Sequence, residues 1–263
     1  MNFKTIWLLA IIFLSSMTTL GQDDLAGYWM NKGYSLDNMG NYQGAVLAYE
    51  NVTKIDSNAI HAWNNIGLDL LRLGKFNESI EAFDRALSIN SSFSWAWNNK
   101  GLALSNIGQY KKAILAFDNA TKIDAGYVKA WENKGSAYIS MGEYNQAIKA
   151  IDEALKLNPN QATSWGYKAI ALYSIGKYNE SLQAYDRAIA LDPNSAQTWY
   201  LKGVILASLN RSEEAIDAFG NATKIDPKFA EAWNNMGLML NDAGRYEEAV
   251  KAFDNAIAAK GSA

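Results

Sequence analysis

The sequence predicts an all-α solenoid built from seven helix-turn-helix repeats, and three observations predict it. Seven tryptophans (Trp29, Trp63, Trp97, Trp131, Trp165, Trp199 and Trp233) follow one another at intervals of 34 residues without a slip. Self-similarity at one fixed interval marks stacked copies of a unit too small to bury its apolar face alone. Glycines and other small residues recur in step with the tryptophans, and the apolar residues between them fall at the three-to-four spacing of helices.

Counted with each tryptophan at position 4, the repeats are 26–59, 60–93, 94–127, 128–161, 162–195, 196–229 and 230–263. Position 8 holds Gly33, Gly67, Gly101, Gly135, Ala169, Gly203 and Gly237. Glycine inside a helix costs about 1 kcal/mol relative to alanine, so a second helix must come close there. Position 20 supplies facing small residues: Ala45, Ser79, Ala113, Ala147, Ser181, Ala215 and Ala249. Position 15 is glycine except for Asn210, the residue that best replaces glycine at a left-handed helix stop. The second helix then carries one apolar stripe, in repeat 3 Tyr110, Ala113, Ile114, Phe117, Ala120 and Ile123. All three prolines, Pro159, Pro193 and Pro227, fall at position 32, where they end one helix and lead into the next.

An aromatic at position 4, small residues at 8, 20 and 27, an aromatic at 24 and proline at 32 together resemble the tetratricopeptide repeat (TPR) family. The resemblance covers residues 26–263, with minor departures at Ala169, Ile151 and Ser212. It implies a right-handed superhelix of antiparallel helix pairs, with first helices lining a concave groove and second helices forming the outer face. The ruler tryptophans are expected to belong to the core.

The start of the chain differs. Lys4 precedes an apolar run from Ile6 to Leu14, followed by small and polar residues to Gly21. This is the layout of a secretory signal, residues 1–21, cleaved after Gly21. The rival is an uncleaved anchor: Thr5 to Gln22 carries no charge and just suffices to cross a hydrocarbon core of about 30 Å. Either places the array in a secreted or extracytoplasmic, cell-envelope setting. Seven Asn-x-Ser/Thr sequons, at Asn51, Asn77, Asn90, Asn119, Asn179, Asn210 and Asn221, are then candidate glycosylation sites.

Composition narrows the chemistry. Cysteine is absent and His61 is the single histidine, so thiol nucleophiles, histidine triads and Cys/His metal sites have no residues to form them. A net charge of −3 provides no basic field for nucleic acid. No enzymatic activity, metal or cofactor is expected; the aspartates at Asp84, Asp118, Asp152 and Asp186 recur as a solvated stripe on the second helices.

The expected function is a protein-interaction scaffold binding an extended peptide or protein segment. On the family pattern, position 6 faces the groove and reads Asn31, Asn65, Asn99, Asn133, Tyr167, Leu201 and Asn235, while position 5 adds Asn64, Asn98 and Asn234. Asparagine is a mediocre helix former, yet its amide offers donors and an acceptor that match a peptide main chain. The arrangement resembles the asparagine ladders of some TPR superhelices; the alternative is that the amides brace neighbouring helices. Tyr167 and Tyr200 interrupt the line, and Trp95 at position 2 adds an aromatic, giving a polar half and an aromatic half. A carboxylate clamp is not expected, since Lys129 is almost the sole basic residue at clamp positions. The competing function is a self-associating or glycosylated structural component of the envelope. Repeat 7 carries a partial cap, Ala258 to Lys260, so weak homo-association through Val250, Phe253 and Ile257 is expected. A strict monomer in light scattering at high concentration would exclude it.

Overall fold

The computed structural model describes residues 21–261, apart from the side chains of residues 22 and 23. Most of the leader therefore lies outside the described residues, as do residues 262 and 263. The described chain contains fourteen helices and no strand. They are α1 Gln22–Asn38, α2 Tyr42–Ile55, α3 Ile60–Arg72, α4 Phe76–Ile89, α5 Ser94–Asn106, α6 Tyr110–Ile123 and α7 Val128–Ser140. After these come α8 Tyr144–Leu157, α9 Ala162–Ser174, α10 Tyr178–Leu191, α11 Ala196–Ser208, α12 Ser212–Ile225, α13 Ala230–Asp242 and α14 Tyr246–Gly261. Odd-numbered helices are the first helices of the repeats and even-numbered ones the second. Two units divide between Asn133 and Lys134, inside α7. Among the described residues no helix is long and apolar enough to cross a membrane.

The turns follow the sequence closely. Gly40, Gly74, Gly108, Gly142, Gly176 and Gly244 have φ between 73° and 80°, and Asn210 adopts 58° in the same role. At the first turn the amide of Gly40 donates to Asp37 O and that of Asn41 to Leu36 O, the paired bonds of a Schellman stop.

The reason for glycine at position 8 is the position-24 side chain, a ring opposite every such glycine except Gly135, which faces Ile151, rather than the small residue at position 20. A Cβ on Gly101 would lie 2.4 Å from Phe117 Cε1, and one on Gly67 would lie 2.5 Å from Phe83 Cε1. The position-24 side chain, fully buried in both repeats, occupies the space that a side chain at position 8 would need. Where position 20 is serine, its hydroxyl donates to the carbonyl of position 8: Ser79 to Gly67 at 2.6 Å and Ser181 to Ala169 at 2.7 Å.

The ruler tryptophans sit at the boundary of the core, not inside it. Each is half-buried, and from Trp63 onward each indole N–H donates to the position-32 carbonyl of the preceding repeat. The acceptors are Ser57, Ser91, Ala125, Pro159, Pro193 and Pro227, at 2.8 to 3.1 Å. The preceding residue, at position 31, turns the chain: Asp56, Asn90, Asp124, Asn158, Asp192 and Asp226 each accept from the backbone amide two residues on. Thus the 34-residue spacing is the spacing of a clasp between successive repeats.

The aspartate stripe faces solvent and is also paired across the repeats. Asp84 pairs with Lys100 of the next repeat at 2.5 Å, Asp152 with Lys168 at 2.7 Å and Asp186 with Lys202 at 2.6 Å. The same ammonium groups lie 5.3 to 5.6 Å from the centroids of Trp97, Trp165 and Trp199. These aspartates are rungs that tie the second helix of one repeat to the first helix of the next. Each rung is partly exposed and contributes little singly.

Candidate partner-binding face

The first-helix side of repeats 2 to 4 carries a connected line of amides. Asn133 Nδ2 donates to Asn98 Oδ1 at 2.8 Å, Asn98 Nδ2 to Asn99 Oδ1 at 3.3 Å, and Asn99 Nδ2 to Asn64 Oδ1 at 3.1 Å. Position 6 of one repeat therefore reaches position 5 of the repeat before it. Asn64 and Asn98 are buried; Asn99 and Asn133 are half-buried. The bonds fix the direction of each amide, yet a primary amide has two donor hydrogens and an oxygen with two lone pairs. Bracing consumes one donor and one lone pair of Asn99 and one donor of Asn133, and these two half-buried amides keep the rest for a ligand.

In the second unit the pattern repeats with a tyrosine. Asn234 Nδ2 donates to Asn235 Oδ1 at 3.4 Å, and Asn235 Nδ2 to the Tyr200 hydroxyl at 3.2 Å. The Tyr200 ring is wedged near Phe219 and Phe229, with centroids 5.8 and 4.8 Å away. Leu201, Val204, Ile170 and Tyr173 pack, partly buried, against the core around Leu206 and Phe219, and Tyr167 packs similarly against Ile151 and Ala171. These aromatics are half-buried packing residues.

Asn31 is exposed and stands outside the amide line. Trp95 is 57% exposed and belongs to a row of rings on the same side: His61 lies edge-on to Phe93 at 5.5 Å, and Phe93 lies 6.3 Å from Trp95. Lys129 pairs at 3.1 Å with Glu132, a fully buried carboxylate at position 5. Among the described residues no group of three or more His, Cys, Asp or Glu side chains could hold a metal ion. Of the sequons, Asn77, Asn90, Asn179 and Asn210 are exposed, whereas Asn51, Asn119 and Asn221 are half-buried. On α14, Val250 and Ile257 are exposed and Phe253 is half-buried.

Family models described as tetratricopeptide repeat match residues 26–58, 61–93, 82–114, 132–196, 168–228 and 200–263. The chain belongs to the tetratricopeptide repeat family. No curated protein matches it. Among solved structures it is similar to MamA, with 27% identity over 62% of this chain and 95% of that one and a TM-score of 0.58. The fold is shared with YrrB, described as a TPR protein with an unusual peptide-binding site, at 24% identity, covering 69% and 94% of the two chains, TM-score 0.56. It is shared too with a tetratricopeptide repeat protein from Parabacteroides merdae ATCC 43184, at 17% identity, covering 89% and 92%, TM-score 0.70. As a TPR array the chain is a protein-interaction scaffold.

One feature of this TPR array escaped the repeat-by-repeat reading. Position 10 is Ser35, Ala103, Ala137, Ala171, Ile205 and Met239 in six repeats, but Asp69 in repeat 2. Asp69 is 1% exposed. Its Oδ1 accepts from Arg72 Nη1 at 3.0 Å, and the same nitrogen also bonds Asp37 of repeat 1. Burial first, then the charge of Asp37, raises the Asp69 carboxyl from 3.8 to about 6, against the opposing pull of Arg72. Burial also pushes the Tyr49 hydroxyl upward, with Asp69 and Asp37 adding to it.

Proposed function

We propose that this chain is an extracytoplasmic scaffold that holds an extended, largely uncharged peptide segment along the first helices of repeats 2 to 4. The carrying observation is the directed amide line Asn133–Asn98–Asn99–Asn64. Amides held in one orientation meet a main chain without first losing rotamer freedom, which reduces the ordering cost of binding. Trp95, 57% exposed beside Phe93, offers a ring face for an apolar side chain next to that line. The leader supports the extracytoplasmic part of the reading, because its charged start, apolar centre and small-residue end match an export signal.

The test is capture from the native cell envelope with the chain 22–263, followed by mapping of the captured segment to a synthetic peptide. Replacing Asn99 and Asn133 together by alanine should weaken peptide binding at least tenfold. Helix content by circular dichroism should remain that of the parent. Unchanged affinity in a folded variant overturns the reading. N-terminal sequencing of the native protein should begin at Gln22; a retained Met1 would favour the anchor instead.

A further inference from the structure

The junction of repeats 1 and 2 contains three buried polar atoms without a hydrogen-bond partner: Tyr49 Oη, Asn65 Nδ2 and Asp69 Oδ2. Buried polar atoms are almost always paired, so three in one junction call for a reason. They face one another. Tyr49 feels the charges of Asp69 and Asp37 and lies by the Asn65 amide, while the Tyr34 ring stacks edge-on over it at 5.8 Å. Two carboxyls from adjacent repeats, Asp37 on α1 and Asp69 on α3, share the single guanidinium of Arg72. Tyr42 of α2 covers that guanidinium at 5.1 Å. One cation against two carboxylates leaves an uncompensated negative charge in the junction.

A proton on Asp69 removes the excess negative charge and turns its unpartnered acceptor Oδ2 into a donor. Asp69 lies near enough to Asp37 to share a hydrogen bond once one of the two is protonated. Repeat 3 has no counterpart, because its position 10 is Ala103 and its position 24 is Phe117.

We propose that Asp69 and Asp37 form a proton-operated latch beneath Arg72, which closes repeat 1 onto repeat 2 in mild acid and loosens it at neutral pH. Asp37 from α1 and Arg72 from α3 act on Asp69 directly, and Tyr49 from α2 lies within its field, itself flanked by Tyr34 from α1 and Asn65 from α3. The direction follows from Asp69 binding its proton more tightly when buried. That preference stabilises the closed junction fully below 3.8 and is lost as pH rises through about 6. The latch needs no partner.

Hydrogen exchange of the chain 22–263 reads it. After correction for intrinsic rates, protection in α1 and α2 should fall roughly tenfold between pH 5 and pH 7.5. The α11 and α12 amides serve as the internal reference and should not follow. Asp69→Asn carries a permanent donor without charge and should keep the acid-level protection at both pH values. A repeat 1 that ignores pH, or an Asp69→Asn variant with the parental pH dependence, overturns the latch. Should that variant fail to fold, the carboxyl carbon of Asp69 in the parent decides by NMR. A titration midpoint near 6 supports the latch and one near 4 excludes it.

Discussion

Replacing Phe117 with alanine is expected to lower the stability of the array by about 3–5 kcal/mol, the usual cost of removing a fully buried aromatic side chain. Phe117 is 0% exposed, and its ring lies where a Cβ of Gly101 would otherwise stand. That arrangement sets the size of the effect. Glycine has no side chain to swing into the vacated space, and α5 can follow only by moving its backbone. The cavity therefore stays open. Because each repeat contacts chiefly its neighbours, the loss is local in origin but interrupts coupling along the chain. Urea unfolding followed by circular dichroism should show an earlier midpoint and a broader or split transition. A shift of less than about 1 kcal/mol would mean that the ring is not the reason for the glycine.

Most of the architecture was legible because it depends on backbone requirements that few residues meet. A left-handed helix stop accepts glycine or asparagine, and Gly40, Gly74 and Asn210 advertise it directly. Close helix approach demands glycine at position 8, although the partner was misread. The sequence shows two small residues per repeat, and the ring that actually fills the gap is large. The tryptophan clasp was not legible. An indole N–H bonded to a carbonyl looks in sequence like any regularly spaced apolar residue, and its acceptor is a backbone atom that bears no signature. Prolines at position 32 made the turn conspicuous, yet Ser57, Ser91 and Ala125 accept the same bond. The pairing of the solvated aspartate stripe was hidden for a related reason: its lysine partners sit 16 residues away on another helix, beyond the reach of a helical-wheel argument. The candidate face was legible as a row of amides at positions 5 and 6. Its direction and its buried members were not, because the i to i+35 bonds depend on how one first helix sits on the next.

Replacing Asn98 with leucine is expected to cost about 2–3 kcal/mol, although leucine is near in size and more apolar. Asn98 is 2% exposed and occupies the centre of the amide line, accepting from Asn133 and donating to Asn99. The leucine leaves the Asn133 donor and the Asn99 acceptor without their partners in places where water has limited access. Each orphaned group costs about 1–3 kcal/mol, towards the lower end here because both residues are only half-buried. A double-mutant cycle isolates that term. In an Asn133→Ala background one orphan no longer exists, so Asn98→Leu should cost about 1 kcal/mol less than in the parent. Additive urea midpoints across the four proteins would show that the amides are neighbours without energetic linkage. The same four proteins separate bracing from ligand contact. An amide that only braces loses stability when replaced and leaves peptide affinity intact in the folded fraction. One that also holds a main chain loses affinity beyond the change in folded population. The bonds in the structure require the stability loss; the proposed scaffold requires the second loss as well.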